Sequence, residues 1–380
     1  MREDPPMSHS EEDLRRRRAL AAATRFLQRD APRSPAEALR RLGDLAVDPL
    51  PDLYGEYGEL EALESEVAGL LGKPAAVFMP SGTMAQQCAL RIWADRTGHR
   101  AVGVHGLSHL VRDEERALEV VHGIRMEHLG ADPRPLSAED LAGCPHPLGA
   151  IAIELPLREA GYLLPPWDEL VDLVEAAQAR GIPVHLDGAR LWESQPFYDR
   201  PLAEIAALGD TVYVSFYKGL GGIAGAALVG PEDVIAEARH WQHRHGGTLV
   251  SVYPLAVAAR EGLRTRVGRF ASYAERARAV ALAAAAVQGV RVYPEPPQTN
   301  AFVLFVDVPA HALREAGLRL TESTGLMALG GVVPAEVPGW AATEFVVGEA
   351  TMAWSVPDIV GVLADLLASA RQISEEPAPA

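Results

Sequence analysis

The sequence predicts an α/β protein with a doubly wound, mainly parallel sheet, followed along the chain by a smaller α+β domain. Short apolar runs alternate with helix-length segments from about residue 60 to residue 230. Such alternation is typical of βαβ units and a parallel sheet. After a long predicted helix at 273–287 the pattern changes, and short strands follow one another. With 380 residues, 48% of them hydrophobic, the chain has enough apolar material for a large core.

Hydrophobic periodicity and the placement of Pro and Gly organise the N-terminal part. They predict a helix over 13–28, and then an irregular stretch over 32–58 where Pro and Gly recur. Apolar residues at helical spacing predict the next helix over 60–71. Residues 1–10 and 375–380 are polar or rich in Pro and Ala, so we expect both ends to be frayed.

The central part supplies the strands of the predicted sheet. Each of them is a short apolar run bounded by Gly, Pro or polar residues. The predicted strands are 75–79, 101–104, 150–154, 184–186, 211–215 and 224–229. One helix is predicted from Ser81-Gly82-Thr83 to about Asp95, and another over 167–180, which Gly181 ends.

The C-terminal part mixes strands and helices differently. Strands are predicted over 290–293, 301–306 and 344–347, and a helix over 357–370. This mixture indicates a small α+β domain. We therefore predict three parts, which are an N-terminal helical arm over 1–45, a large domain over 46–285 and a small domain over 286–380.

Bulk composition excludes several classes of protein. A formal net charge of −16 repels phosphate backbones, so nucleic acid is not an expected partner. Cys88 and Cys144 belong to no Cys or His cluster, so neither a metal site nor a disulfide framework is indicated. No apolar run has the length of a signal-peptide core or a membrane span, and we expect a cytoplasmic protein with no membrane partner.

The segment Ser81-Gly82-Thr83 lies between a predicted strand and a predicted helix. A helix N-terminus presents unpaired N–H groups and positive dipole, which suit a phosphate group. Glycine allows the backbone to approach such a group closely, and the two hydroxyls add donors. The alternative is an ordinary helix cap, which the same residue types also favour.

Asp187 follows the apolar strand residues 184–186, at a carboxyl end where α/β sheets bind ligands. A carboxylate there could keep a pyridine nitrogen protonated and turn the ring into an electron sink. The alternative is a turn residue, since Asp187 precedes Gly188.

Lys218 also follows a strand and precedes the glycine-rich residues Gly219 to Gly222. An apolar, glycine-rich pocket should lower the pKa of its amine, which suits covalent attachment to a carbonyl group. The alternative is an exposed loop lysine. The 31 residues from Asp187 to Lys218 (218 − 187) are enough for one crossover helix and the next strand, so both side chains can meet at one sheet edge.

Taken together, these motifs resemble the threonine aldolase and β-eliminating lyase family of fold-type I enzymes, which use pyridoxal 5′-phosphate. The most specific pair is His185-Leu186-Asp187-Gly188-Ala189-Arg190 with the Lys218-Gly219-Leu220-Gly221 run. The resemblance covers about residues 48–263 and rests on segments 54–56, 60–64, 80–85, 108–109, 185–192, 215–221 and 241–247. It implies a large pyridoxal-phosphate domain followed by a small C-terminal domain.

The resemblance also implies roles for the residues that match. Lys218 would carry the cofactor covalently, and Asp187 would bind its pyridine nitrogen. The phosphate would be bound by Ser81, Gly82 and Thr83, with a further contact from Ser215.

Two more matching residues would touch the cofactor. His109 would stack on the ring, and Arg190 would lie beside its 3′-oxygen. From the residues alone, His109 could equally be a histidine accommodated in the fold, and Arg190 a structural ion-pair partner.

The departures from the family pattern are on the substrate side. Leu157 stands where the family has a histidine that handles the substrate hydroxyl, and Glu344 stands where it has an arginine that binds the α-carboxylate. A carboxylate cannot replace that arginine without an added cation or proton. Arg158 is the nearest spare cation and a candidate for carboxylate binding, although it could be a surface residue. Glu56, in a matching segment, is the other candidate substrate residue.

The resemblance implies a lyase that cleaves the Cα–Cβ bond of a β-hydroxy amino acid other than plain threonine. Within enzymes the alternative is β-elimination, racemisation or transfer on an unusual amino acid. Outside enzymes it is a regulatory protein that binds pyridoxal phosphate without catalysis. The family assembles its sites at subunit interfaces, so a homodimer or homotetramer is expected.

Overall fold

The computed structural model describes residues 11–48, 50–130 and 132–375. Its contacts group the chain into two compact units. One runs from Arg33 to Ser272, and the other combines the chain up to Pro32 with the chain from Tyr273 onwards. The predicted domain boundaries at residues 45 and 285 are not tested by this grouping and remain a prediction.

The strands and helices are numbered in chain order. The strands are β1 (Arg25–Phe26), β2 (Ala75–Met79), β3 (Ala101–His105), β4 (Arg125–Gly130), β5 (Ala150–Glu154), β6 (Val184–Gly188), β7 (Thr211–Ser215), β8 (Ala226–Gly230), β9 (Val290–Tyr293), β10 (Ala301–Val306), β11 (Leu326–Met327), β12 (Val332–Pro334) and β13 (Ala341–Val346). The helices are α1 (Glu11–Ala22), α2 (Pro35–Leu45), α3 (Gly58–Leu70), α4 (Gly82–Thr97), α5 (His109–Arg112), α6 (Ala117–His122), α7 (Ala138–Ala142), α8 (Trp167–Ala179), α9 (Leu191–Tyr198), α10 (Leu202–Ala207), α11 (Glu232–Arg244), α12 (Tyr253–Arg266), α13 (Phe270–Ala285), α14 (Ala310–Thr324), α15 (Glu349–Met352) and α16 (Val356–Glu375).

A seven-stranded sheet forms the centre of the larger unit, in the order β2-β8-β7-β6-β5-β3-β4. Only β8 is antiparallel to its neighbours β2 and β7, so the predicted mainly parallel sheet is confirmed. Every residue of β3, β6, β7 and β8 is buried, because helices cover both faces of such a sheet. Two successive antiparallel pairings make β2 run in the direction of β7. The carboxyl ends of β2, β5, β6 and β7 therefore meet at one sheet edge.

The predicted helix over 13–28 is wrong in its second half. The helix ends at Ala22, and Arg25–Phe26 forms a strand that pairs in parallel with Leu326–Met327. The backbone of Arg29 continues this link by donating to the Val346 carbonyl at 2.7 Å. This pairing to residues some 300 positions away overrides the local helical pattern.

The predicted irregular stretch over 32–58 is also wrong in part, because it contains the helix Pro35–Leu45. The signal was present in the sequence. Ser34 and Glu37 form a reciprocal capping box, and Pro35 occupies the first helical position.

The smaller unit contains a four-stranded antiparallel sheet in the order β12-β13-β10-β9, together with the pair β1-β11. Its helices α14 and α16 pack against each other. The predicted small α+β domain is thereby confirmed. The ends expected to be frayed, 1–10 and 376–380, lie outside the described residues, while Glu375 is the last residue of α16. No helix in the described ranges is long and apolar enough to cross a membrane.

Candidate active site

Functional side chains collect where the parallel strands end. Asp187 lies near the end of β6 and is 3% exposed, and Ser215 is the last residue of β7. Asp187 is paired in register with Glu154 of β5 on one side and with Tyr213 of β7 on the other. Lys218 follows β7 by three residues. The sheet therefore brings the predicted lysine and aspartate to one edge.

The start of α4 reaches the same edge. Ser81 caps this helix by accepting a hydrogen bond from the Met84 N–H at 3.2 Å. A Cβ on Gly82 would lie 2.0 Å from the Tyr213 hydroxyl, so only glycine fits against that tyrosine. Thr83 follows in the first turn. Because Tyr213 is the register neighbour of Asp187, the predicted phosphate loop lies one strand away from the aspartate.

Lys218 is surrounded by charges of both signs. Burial lowers the pKa of its amine, and the Arg190 guanidinium lowers it further. The carboxylates of Asp187, Glu154 and Glu193 oppose this by favouring the ammonium form. A lysine with a lowered pKa has a larger neutral, nucleophilic fraction at neutral pH than an exposed lysine.

His109 begins α5 and is held by two carboxyl groups. Its backbone N–H donates to Glu154 Oε2 at 2.8 Å, and its Nδ1 lies 3.0 Å from Glu114 Oε1. Gln86 Nε2 donates to the same Glu114 oxygen at 2.9 Å. The hydrogen bond to Glu114 raises the pKa of His109, and the Asp187 charge adds to this effect. Burial raises the pKa of Glu114, and its bond to His109 opposes this. When Glu114 is ionised it only accepts, which assigns the proton to Nδ1 and leaves Nε2 as the atom that can accept one.

Glu154 connects His109 to the next segment of the chain. Its Oε1 accepts the backbone N–H of Arg158 at 3.1 Å, so both of its oxygens bind backbone donors. Burial and the neighbouring Asp187 carboxylate raise the pKa of Glu154. Arg190 lies over the Tyr162 ring, with its guanidinium carbon 5.4 Å from the ring centre.

The predicted substrate residues Arg158 and Glu56 both lie in the larger unit. The Arg158 side chain donates to Glu159 Oε1 at 2.5 Å, and its backbone N–H donates to Glu154 Oε1. Glu56 lines a cavity of about 510 Å³ together with Arg239 and Gln242. Leu157 is buried and forms a β-bridge with Leu163. In the smaller unit, Glu344 accepts a hydrogen bond from Arg29 at 3.2 Å.

Several residues of the cluster, Glu154 among them, were not predicted from the sequence. Glu114 stands in the acidic run 113–115, which resembles a solvated surface, yet it is 4% exposed. Glu193 is 3% exposed, and its only signal is a charge beside the apolar pair Leu191-Trp192. Tyr213 lies between apolar residues of β7, so its sequence context predicts a core residue. Among the residues that the structure describes, no group of three His, Cys, Asp or Glu side chains could hold a metal ion.

Comparison with known proteins gives the same family as the motifs. The model of the beta-eliminating lyase family matches residues 34–309. A candidate L-allo-threonine aldolase from Listeria monocytogenes is 36% identical, with a TM-score of 0.88 over 94% of this chain and 99% of that one. A candidate aromatic amino acid β-eliminating lyase/threonine aldolase from Exiguobacterium is 37% identical, with a TM-score of 0.87 over 93% and 99%.

A curated relative agrees with the two solved structures. The low-specificity L-threonine aldolase of Escherichia coli O157:H7 is 29% identical over 239 residues, which are 57% of this chain and 66% of that protein. These similarities confirm the predicted family and the predicted fold-type I architecture. The chain therefore belongs to the β-eliminating lyase family, among its threonine aldolase-like lyases.

Proposed function

We propose that this chain uses pyridoxal 5′-phosphate to cleave the Cα–Cβ bond of a β-hydroxy amino acid whose side chain is larger than that of threonine. The observation that carries the proposal is the meeting of Lys218, Asp187 and His109 at one sheet edge. The aldolase names of the relatives support the type of reaction.

The residues at this edge fit the cofactor. The Ser215 hydroxyl is buried and has no hydrogen-bond partner among the described residues, as expected of a group kept for a ligand. Gly82 opens a helix of 16 residues, whose N-terminal N–H groups suit a phosphate, and its lack of a side chain makes room for the Tyr213 hydroxyl. When bound, pyridoxal phosphate supplies an electron sink for charge that develops at the substrate Cα.

The chain's own residues would hold and orient that group. Asp187 would hold a proton on the pyridine nitrogen by its negative charge. Lys218 would attach the cofactor through Nζ, because its lowered pKa favours the neutral amine. The contact of Arg190 with the Tyr162 ring would hold its guanidinium beside the ring of the cofactor.

His109 is the base that we assign in place of the histidine missing at Leu157. Leu157 has no titratable atom, whereas His109 Nε2 is left free to accept a proton by the bond from Nδ1 to Glu114. Glu114 is buried and cannot easily move, so it also fixes the orientation of the imidazole ring.

Glu114→Gln tests this assignment through the pH dependence of the reaction. Because Glu114 raises the pKa of His109, removing its charge should lower that pKa. The acidic limb of the kcat/KM profile should therefore move to lower pH, and the maximal rate should fall, because a glutamine oxygen still accepts the Nδ1 bond but its lack of charge makes His109 a weaker base. Glu115→Gln, at the exposed neighbouring position, should leave both unchanged. An unmoved acidic limb in Glu114→Gln would remove His109 from the role of base.

Substrate choice is tested by kinetics with L-threonine, L-allo-threonine and phenylserine. We expect phenylserine to have the highest kcat/KM, since an apolar leucine stands at position 157, where the family has a polar histidine on the substrate side. If Arg158 binds the substrate carboxylate, Arg158→Ala should raise KM by about tenfold or more, the effect of losing a charge-assisted contact. Arg200→Ala removes another arginine that is bonded to a nearby glutamate and serves as the control.

Two outcomes would contradict this part of the proposal. Efficient cleavage of plain threonine, unaffected by Arg158→Ala, would indicate an ordinary threonine aldolase. Absence of turnover of any amino acid by protein that carries the cofactor would favour the regulatory alternative.

A further inference from the structure

Glu193 is a buried carboxyl group near Lys218 that the proposed reaction does not use. It belongs to α9 and is 3% exposed. Its Oε2 atom has no hydrogen-bond partner among the described residues. Burying a carboxyl group without full pairing is costly, so its retention at this position calls for a function.

The carboxyl group lies against the backbone next to Lys218. A Cβ added to Gly219 would be 2.3 Å from Glu193 Oε1 and 2.8 Å from Phe270 Cζ. Only glycine therefore fits at position 219. The contact places a titratable group beside the peptide that follows the reactive lysine.

Three carboxylates favour the Lys218 ammonium, and Glu193 is the one with a buried oxygen that has no hydrogen-bond partner among the described residues. Asp187 would face the cofactor, and both Glu154 oxygens bind backbone N–H groups. Arg190 is the cation that opposes the Lys218 charge, and it also acts on Glu193. Burial raises the pKa of Glu193 to about 7, so its charge changes near neutral pH.

We propose that Glu193 is a positioning residue that seats the backbone at Gly219 and sets the protonation of the Lys218 amine. The proposal rests on the proposed function only in taking Lys218 as the cofactor lysine. An ionised Glu193 stabilises the ammonium, and a protonated Glu193 does not. The neutral fraction of Lys218 therefore rises less steeply with pH while Glu193 ionises.

The chain offers an internal reference for measuring this effect, because Lys73 and Lys218 are its only lysines. Full-length protein freed of cofactor is labelled with a small amine-specific reagent at a series of pH values. Mass spectrometry gives the labelling rate of each lysine. In the wild type, the logarithm of the Lys218 rate should rise with pH, flatten near neutrality and rise again.

Glu193→Gln keeps the size of the side chain and removes its charge. Its Lys218 rate should match the wild type at low pH, flatten less near neutrality, where burial leaves Glu154 with a pKa of about 7, and exceed the wild type about tenfold above neutrality. This factor is what one nearby opposite charge typically does to a protonation equilibrium. Glu204→Gln, an exposed glutamate on the next helix, should leave the wild-type profile unchanged.

Glu193→Asp separates the two parts of the role. It should keep the flattened profile, because the charge remains, but bind pyridoxal phosphate more weakly, because the shorter side chain withdraws from Gly219. Identical Lys218 profiles in the wild type and Glu193→Gln, at an unchanged Lys73 rate, would overturn the proposal. If Glu193→Gln does not fold, Lys73 is labelled faster as well. The wild-type profile then tests the proposal by itself, because a Lys218 profile without flattening also overturns the proposal.

Failure of the proposed function would look different. Added pyridoxal phosphate would then fail to protect Lys218 from the reagent, whatever the shape of the pH profile.

Discussion

Lys218→Ala should abolish covalent attachment of pyridoxal phosphate and lower turnover by at least about 10³-fold, as loss of a covalent catalytic group does in other enzymes. The reason is the position of Lys218 beyond β7, where burial and Arg190 lower the pKa of its amine. Borohydride treatment of the wild type, followed by peptide mapping, should find the reduced cofactor on the peptide that contains Lys218. The variant should carry none.

Lys73 provides a control with the same functional group. Its Nζ donates to the Gly209 carbonyl at 2.6 Å, and burial lowers the pKa of its amine as well. A lowered pKa alone therefore does not identify the cofactor lysine. Lys73→Arg should keep cofactor and turnover. Reduced cofactor on Lys73 would show that the site has been assigned to the wrong sheet edge.

Much of the site was predictable because it depends on local order along the chain. Asp187 and Lys218 each follow a short apolar run, and parallel strands bring such positions to one edge. The helix start at Gly82 is likewise visible as a strand, a Ser-Gly-Thr turn and a helix.

The unpredicted part depends on burial, which local sequence does not reveal. Glu114 and Glu193 are charged residues that usually face solvent, and only the packing of distant segments encloses them. The strand Arg25–Phe26 was missed for a related reason, since its partner is distant in sequence. The helix at Pro35–Leu45 differs, because the residues of its capping box, Ser34 and Glu37, indicate a helix start in the sequence itself.

Asp187→Asn should keep the fold and part of the cofactor but lose most turnover. Asp187 Oδ1 accepts the Ala189 N–H at 3.1 Å, and an asparagine oxygen can accept the same bond. The amide has no negative charge, so it would no longer hold a proton on the pyridine nitrogen. Removing one such electrostatic group typically costs about 10²–10³-fold in kcat. Cofactor content and kcat, measured on the same preparation, separate binding from catalysis.

Asp210→Asn is the matched control for this substitution. Asp210 accepts the Val184 N–H at 2.7 Å, at the opposite end of β6 from Asp187. Both variants thus replace a carboxylate by an amide. In each case the amide oxygen can still accept the backbone N–H, which belongs to Val184 in β6 for Asp210 and to Ala189 just after β6 for Asp187. If both variants lose turnover equally, the loss comes from a disturbed β6 strand and not from a changed charge at the pyridine ring of the cofactor. If Asp187→Asn keeps a wild-type rate on any substrate, the ring does not depend on this carboxylate, and Asp187 is only the turn residue that its place before Gly188 also allows.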